Sequence, residues 1–297
     1  MKRDYRINKK GTFYKCLFNA MASPCEVLFY TDDEAKARAY ADAAYDETKR
    51  IEAKFSRYLK DNIIYQINNA NGQSIEVDEE TGRMFDFADQ CYQLSEGYFD
   101  ITSGVLRRCW RFEGREFAPD QQALDELLNL IGWDKVAWNN QTIKLLPNME
   151  IDLGGIGKEY AVDRVAEMAY QFEIQNVMIN FGGDIRALHN IDENNPWVIG
   201  IESPDQSDNA IGKVELKNGG VATSGDTKRF CLHNGVRLGH ILNPKTGWPV
   251  ENAPHAVTVI AENCTQAGVL ATMSMLKGID AESFLEEQGV RYNSIRA

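Results

Sequence analysis

The chain has 297 residues, 43% hydrophobic and 26% charged. That is enough for one large globular domain or two lobes with a sizeable core. Its formal charge of −12 argues against a general nucleic-acid binder, and no window reaches the ~18 apolar residues of a membrane span. Six cysteines are scattered without a Cys-x-x-Cys pair, so neither a zinc site nor a disulfide framework is expected. The N-terminal stretch MKRDYRINKKGTFYKC is charged and has no apolar h-region. It reads as neither a secretory nor a lipoprotein signal, which predicts a cytoplasmic protein with reduced thiols.

Residues 1–12 read as a polar arm. Residues 13–18 and 26–30 alternate as a strand pair around a turn at Ser23-Pro24. Asp32 and Asp33 cap a helix over residues 34–55, with Ala37, Tyr40, Ala41, Ala44, Thr48 and Ile51 on one face. A helical turn at 63–68 follows, then a helix capped by Asp78 that ends near Gly97, an irregular stretch over 98–118, and a helix between Asp120 and Gly132. Residues 135–146 predict a hairpin about Asn139-Asn140. A helix with Val162, Val165, Ala166, Ala169 and Phe172 on its buried face leads into alternating Val177, Ile179 and Phe181. Strands are predicted around Trp197–201, 213–216, 220–224, 229–232, 236–241 and Val257-Val259, then helices over 265–277 and 281–288. There is no regular strand–helix alternation and no linker, so the expected fold is a single α+β domain with mixed or antiparallel sheets and flanking helices around a cleft.

The stretch Ile-Asp-Leu-Gly-Gly-Ile-Gly-Lys-Glu-Tyr-Ala-Val-Asp at 151–163 is the most distinctive. Three glycines bare the backbone just before a lysine and a helix start, which is chemistry for an anion. It fits neither phosphate-loop nor dinucleotide motif, and a tight strand-to-helix turn explains it equally well. Five further stretches put polar residues at turns: Phe55-Ser56-Arg57-Tyr58, Gly97-Tyr98-Phe99-Asp100-Ile101-Thr102, Asn180-Phe181-Gly182-Gly183-Asp184, Ala222-Thr223-Ser224-Gly225-Asp226, and His240-Ile241-Leu242-Asn243-Pro244-Lys245-Thr246-Gly247. Taken singly, each is an ordinary turn or cap.

Taken in this order, from Met21 to Thr272, they resemble the ApbE family of flavin transferases. The resemblance implies an enzyme that takes FAD, joins its FMN half through a phosphodiester to a Thr or Ser of an acceptor protein, and releases AMP with the help of Mg2+. It implies that Met21, Tyr58, Phe99, Asp100, Ile101, Asp152, Lys158, Asn180, Gly183, Asp184 and Leu242 hold FAD. His240 would be the general base, and backbone carbonyls at Gly155 and Gly157, with Thr272, would hold the metal. The chain departs from the pattern where an Asp four residues before the Thr is replaced by Gly268, and where the Gly after the lysine is Glu159. Milder departures are Met21-Ala22-Ser23 for Met-Gly-Thr, Gly157 for Ala and Asn243 for Asp. The lost carboxylate makes Asp184 and Glu262 candidate substitutes. It also opens two other readings, a non-catalytic FAD binder and an FAD pyrophosphatase giving FMN and AMP.

Overall fold

The computed structural model describes residues 3–188, 196–202, 210–226 and 229–296. In chain order its elements are β1 (Arg6–Lys10), β2 (Phe13–Ala20), β3 (Ser23–Tyr30), α1 (Glu34–Phe55), α2 (Ile63–Asn68), β4 (Ile75–Glu76) and α3 (Glu79–Leu94). A 3-10 helix (Ile101–Arg108), α4 (Gln121–Leu128), β5 (Ala137–Trp138), β6 (Thr142–Lys144), α5 (Gly157–Met168), β7 (Gln175–Phe181) and β8 (Asp184–Leu188) follow. The remainder is β9 (Trp197–Glu202), β10 (Ala210–Leu216), β11 (Gly219–Gly225), β12 (Phe230–His233), β13 (Val236–Gly239), β14 (Ala256–Ala261), α6 (Cys264–Leu276), α7 (Ala281–Glu287) and β15 (Arg291–Ile295).

Eight strands form one sheet in the order β1-β2-β3-β7-β8-β11-β14-β15, and every neighbouring pair is antiparallel. Period-two alternation drives this: Cys16, Phe18 and Ala20 on β2 and Val177, Ile179 and Phe181 on β7 are buried. A helical layer covers the sheet, with α1 against β2, α5 against β7 and β8, and α6 against β11 and β14. The predicted face of α1 is buried as expected, and its Tyr40 hydroxyl donates to the Val165 carbonyl of α5 at 2.9 Å. Helix α6 is apolar nearly all round and correspondingly buried. Asp163 of α5 pins its start, accepting from the Cys264 and Thr265 amides at 2.9 and 2.8 Å and from the Thr265 hydroxyl at 2.7 Å. The capping aspartates Asp33, Asp78 and Asp120 accept from the amides three residues on, as their positions predict.

The structure corrects several expectations. Of the expected polar arm, Met1 and Lys2 lie outside the described residues, and Arg6–Lys10 is a largely exposed edge strand paired to β2. The first hairpin turns at Met21-Ala22, both at positive φ (51° and 55°), because β2 and β3 pair up to Ala20↔Ser23. Strands β8 and β15 went unanticipated: the first carries Asp184 and Arg186, and the second is a mostly polar edge strand. The stretch 98–118 contains the 3-10 helix, and α4 stops at Leu128, short of Gly132. No helix among the described residues is long and apolar enough to cross a membrane.

Candidate active site

A cleft of about 430 Å3 opens between the 3-10 helix, the 151–158 turn, the starts of α5 and β8, the end of β11, residues 240–242 and α6. Asp100 builds its first wall. One carboxylate oxygen accepts from the Thr102 amide (2.7 Å) and hydroxyl (2.6 Å), and the other from the Trp133 amide (3.1 Å). Those bonds cap the 3-10 helix while Asp100 also lines the cleft, and burial raises its pKa. The helix presents Arg107 to the cleft, with Trp110, Arg111 and Phe112 beyond it.

Asp152 organises the arginines. Its carboxylate meets Arg57 Nη1 at 3.2 Å and Arg107 Nε at 3.8 Å, and accepts from the Gly154 amide at 2.9 Å. Arg57 Nη2 is held by Glu150 at 3.0 Å. Gly104 permits this approach, since a Cβ there would stand 2.7 Å from Asp152 Cβ and 2.8 Å from Arg57 Nη1. Arg107 Nη1 also donates to the Tyr58 hydroxyl at 2.9 Å.

His240 closes this cationic end. Its ring lies 6.4 Å from that of Phe112, edge to face. Burial, then Arg229 and Arg107, push its pKa down to about 4, against a hydrogen bond to the Arg229 backbone and the field of Asp226. The imidazole is therefore neutral at neutral pH, and its buried Nδ1 has no hydrogen-bond partner.

The opposite end lies between α5, β8 and α6. Lys158, in the first turn of α5, is ion-paired with Asp184 at the start of β8, and its Nζ donates to the Phe181 carbonyl at 3.5 Å. Glu159 is 8% exposed; one oxygen is 3.7 Å from Lys158 Nζ, and Oε2 is buried without a partner. It faces Gly268 of α6, one helical turn before Thr272.

Of the residues expected at a site, Phe99, Asp100, Ile101, Asp152, Gly155, Lys158, Asp184, His240, Leu242 and Thr272 line this one cleft. Met21, Tyr58, Gly157, Asn180 and Gly183 are not among its lining residues. The Met21 amide donates to Glu52 at 2.5 Å. Tyr58 is 74% exposed and reaches the cleft only through Arg107. Gly157 is buried in the first turn of α5. The Asn180 side chain accepts from the Gly183 amide at 2.9 Å, which shapes the turn into Asp184. Glu262 is exposed and outside the lining. Arg107, Arg111 and Glu159 line the cleft without having been expected there, as does Arg229, while Arg57 lies in a named motif that assigns it no role. The run Arg107-Arg108, Arg111, Arg115 in a chain of net charge −12 was the available signal.

A fold of antiparallel sheet under helices, with arginines and a neutral histidine at one end of its cleft and acids at the other, defines an enzyme cleft for a phosphate-bearing ligand. The profile of the ApbE family matches residues 21–293, and the chain belongs to that family. It is 32% identical to the FAD:protein FMN transferase of Haemophilus influenzae over 84% of this chain and 76% of that one. It is also 32% identical to that of Vibrio cholerae over 77% and 71%. Among solved structures, the ApbE protein of Thermotoga maritima superposes with a TM-score of 0.86 at 32% identity, covering 95% of this chain and 94% of that one. The flavin transferase ApbE of Vibrio cholerae gives 0.83 at 25% identity, covering 94% and 92%.

Proposed function

We propose that the chain is an FAD:protein FMN transferase. It binds FAD, keeps the FMN half, joins it through a phosphodiester to a Thr or Ser hydroxyl of an acceptor protein, and releases AMP. Within the family, the observation that carries this reading is His240: a neutral imidazole with an unpartnered Nδ1, set beside arginines in the cleft.

Arg107, Arg111 and Arg229 attract the pyrophosphate, and the Gly154-Gly155 turn lets it approach the backbone. Asp152 holds Arg57 and Arg107 in place, so Tyr58 acts through Arg107 and Asn180 through the turn before Asp184. Phe99, Ile101 and Leu242 offer apolar wall to the rings. The acceptor oxygen attacks the FMN phosphorus while its proton passes to His240 Nδ1. One O–P bond forms, the bridging P–O bond breaks, and AMP leaves with that electron pair. The guanidinium groups meet the charge on the transferring phosphoryl oxygens.

The family implies Mg2+. Among the described residues no group of three or more His, Cys, Asp or Glu side chains is placed to hold a metal by itself, so the ion would rest on mixed oxygens. Gly155 and Thr272 line the cleft and offer a carbonyl and a hydroxyl, with the orphaned Glu159 oxygen between α5 and α6. These hard donors suit Mg2+, which when bound supplies charge neutralisation to the pyrophosphate. The chain works as one transferase domain, and six unpaired cysteines suit a reducing, cytoplasmic setting.

The test is to incubate the chain with FAD, Mg2+ and a soluble extract of the cells that make it. At least one protein should retain flavin fluorescence after denaturation, with none for H240Q. AMP release without any covalent flavin would replace this reading with FAD hydrolysis.

A further inference from the structure

Glu159 is the anomaly of the cleft. An unpaired carboxylate kept from water costs several kcal/mol unless something meets its charge. Its nearest cation, Lys158, is already committed to Asp184, and Oε2 has no partner at all. The position opposite is a glycine for a visible reason: a Cβ on Gly268 would lie 2.6 Å from Glu159 Cγ, 3.2 Å from Cδ and 3.4 Å from Oε1. The Glu159 side chain thus occupies the space into which a side chain at 268 would project. Gly268 and Thr272 are spaced i, i+4 and share one face of α6. Glu159, Gly268, Thr272 and Gly155 all line the same cleft.

The pattern that the chain resembles has the glycine and the carboxylate at these two positions the other way round, and here the two positions are in direct contact. We infer that Glu159 is the acidic ligand of the cleft's divalent cation, the carboxylate having moved from α6 to α5. Neither of the acids first considered fills the role: Asp184 neutralises Lys158 and Glu262 is outside the cleft. The metal site is then intact, not lost at Gly268. G268D alone adds a clash and a like charge, and weakens binding.

This rests on the transferase reading for the identity of the anionic partner, so the test uses no turnover. The full chain, saturated with FAD and without acceptor, is titrated with Mn2+ in a calorimeter. E159Q is expected to lose at least about tenfold in Mn2+ affinity, and G268D to bind more weakly than the unaltered chain. The double variant E159G/G268D is expected to recover most of the affinity. Without metal, E159Q should melt at or above the temperature of the unaltered chain, because it neutralises a carboxylate whose Oε2 has no partner. Unchanged Mn2+ affinity in E159Q, no Mn2+ binding by the unaltered chain, or a folded double variant no better than E159Q would overturn the inference. Failure of flavin transfer alone would overturn the transferase reading and leave the Mn2+ result standing.

Discussion

The two ends of the cleft carry opposite charge and follow one rule. At the cationic end, Arg57 and Arg107 are matched in advance by Asp152 and Glu150; at the acidic end, Lys158 is matched by Asp184. One group at each end is left over. Among the described residues, His240 Nδ1 and Glu159 Oε2 are the only buried, unpartnered side-chain polar atoms that belong to cleft-lining residues. On the two readings proposed above, these leftover groups meet what enters, a proton at one end and a cation at the other, while the acids that hold Arg57, Arg107 and Lys158 fix geometry. Asp100 and Asp163 sharpen the contrast, being buried carboxylates with both oxygens occupied by backbone donors.

The comparison breaks most visibly at His240. H240Q should lower the transfer rate by about 10²–10⁴-fold while FAD titration, followed by flavin fluorescence, stays near that of the unaltered chain. R107M removes a charge that lines the cleft and is held by Asp152. A charge-assisted contact of about 1.5–3 kcal/mol predicts a fall of roughly 10–100-fold in kcat/KM, read by AMP release. D163A strips the start of α6 of its acceptors and should destabilise the fold by about 1–3 kcal/mol in urea unfolding. In metal-free protein that is opposite in sign to E159Q.

The smallest effect is on pH. With its pKa lowered to about 4, His240 stays an unprotonated base through mild acid. The acid limb of kcat/KM should then lie well below the usual histidine value near 6.5. For stability, the unfolded chain binds the extra proton between about 6.5 and 4. The contribution of His240 is therefore complete above about 6.5 and lost as pH falls toward 4. H240Q should flatten that part of the stability curve.

The sequence made much of this legible where the signal was local. Alternation placed β2, β3, β7 and β14, helical spacing placed α1, and the aspartate caps placed three helix starts. Strand β8 escaped because its charged residues, Asp184 and Arg186, pair with Lys158 and Asp163 from α5, partners invisible along the chain. The same limit governed the site. Glycine-rich turns and His240 are ordinary taken singly and stand out only in their order along the chain, whereas Glu159 and Gly268 read as two unrelated departures until α5 and α6 are packed. Asp100 lines the cleft as well as capping the 3-10 helix, a second task that its residue type alone did not announce.

The central claim, that the protein leaves one reactive group unmatched at each end, is tested most directly at the acidic end. A crystal of the chain grown with FAD and Mn2+, measured for the anomalous signal of manganese, should place the ion within about 2.1 Å of a Glu159 carboxylate oxygen, with oxygens from Gly155 or Thr272 beside it. A manganese peak elsewhere in the cleft, with Glu159 outside its coordination sphere, would contradict the account.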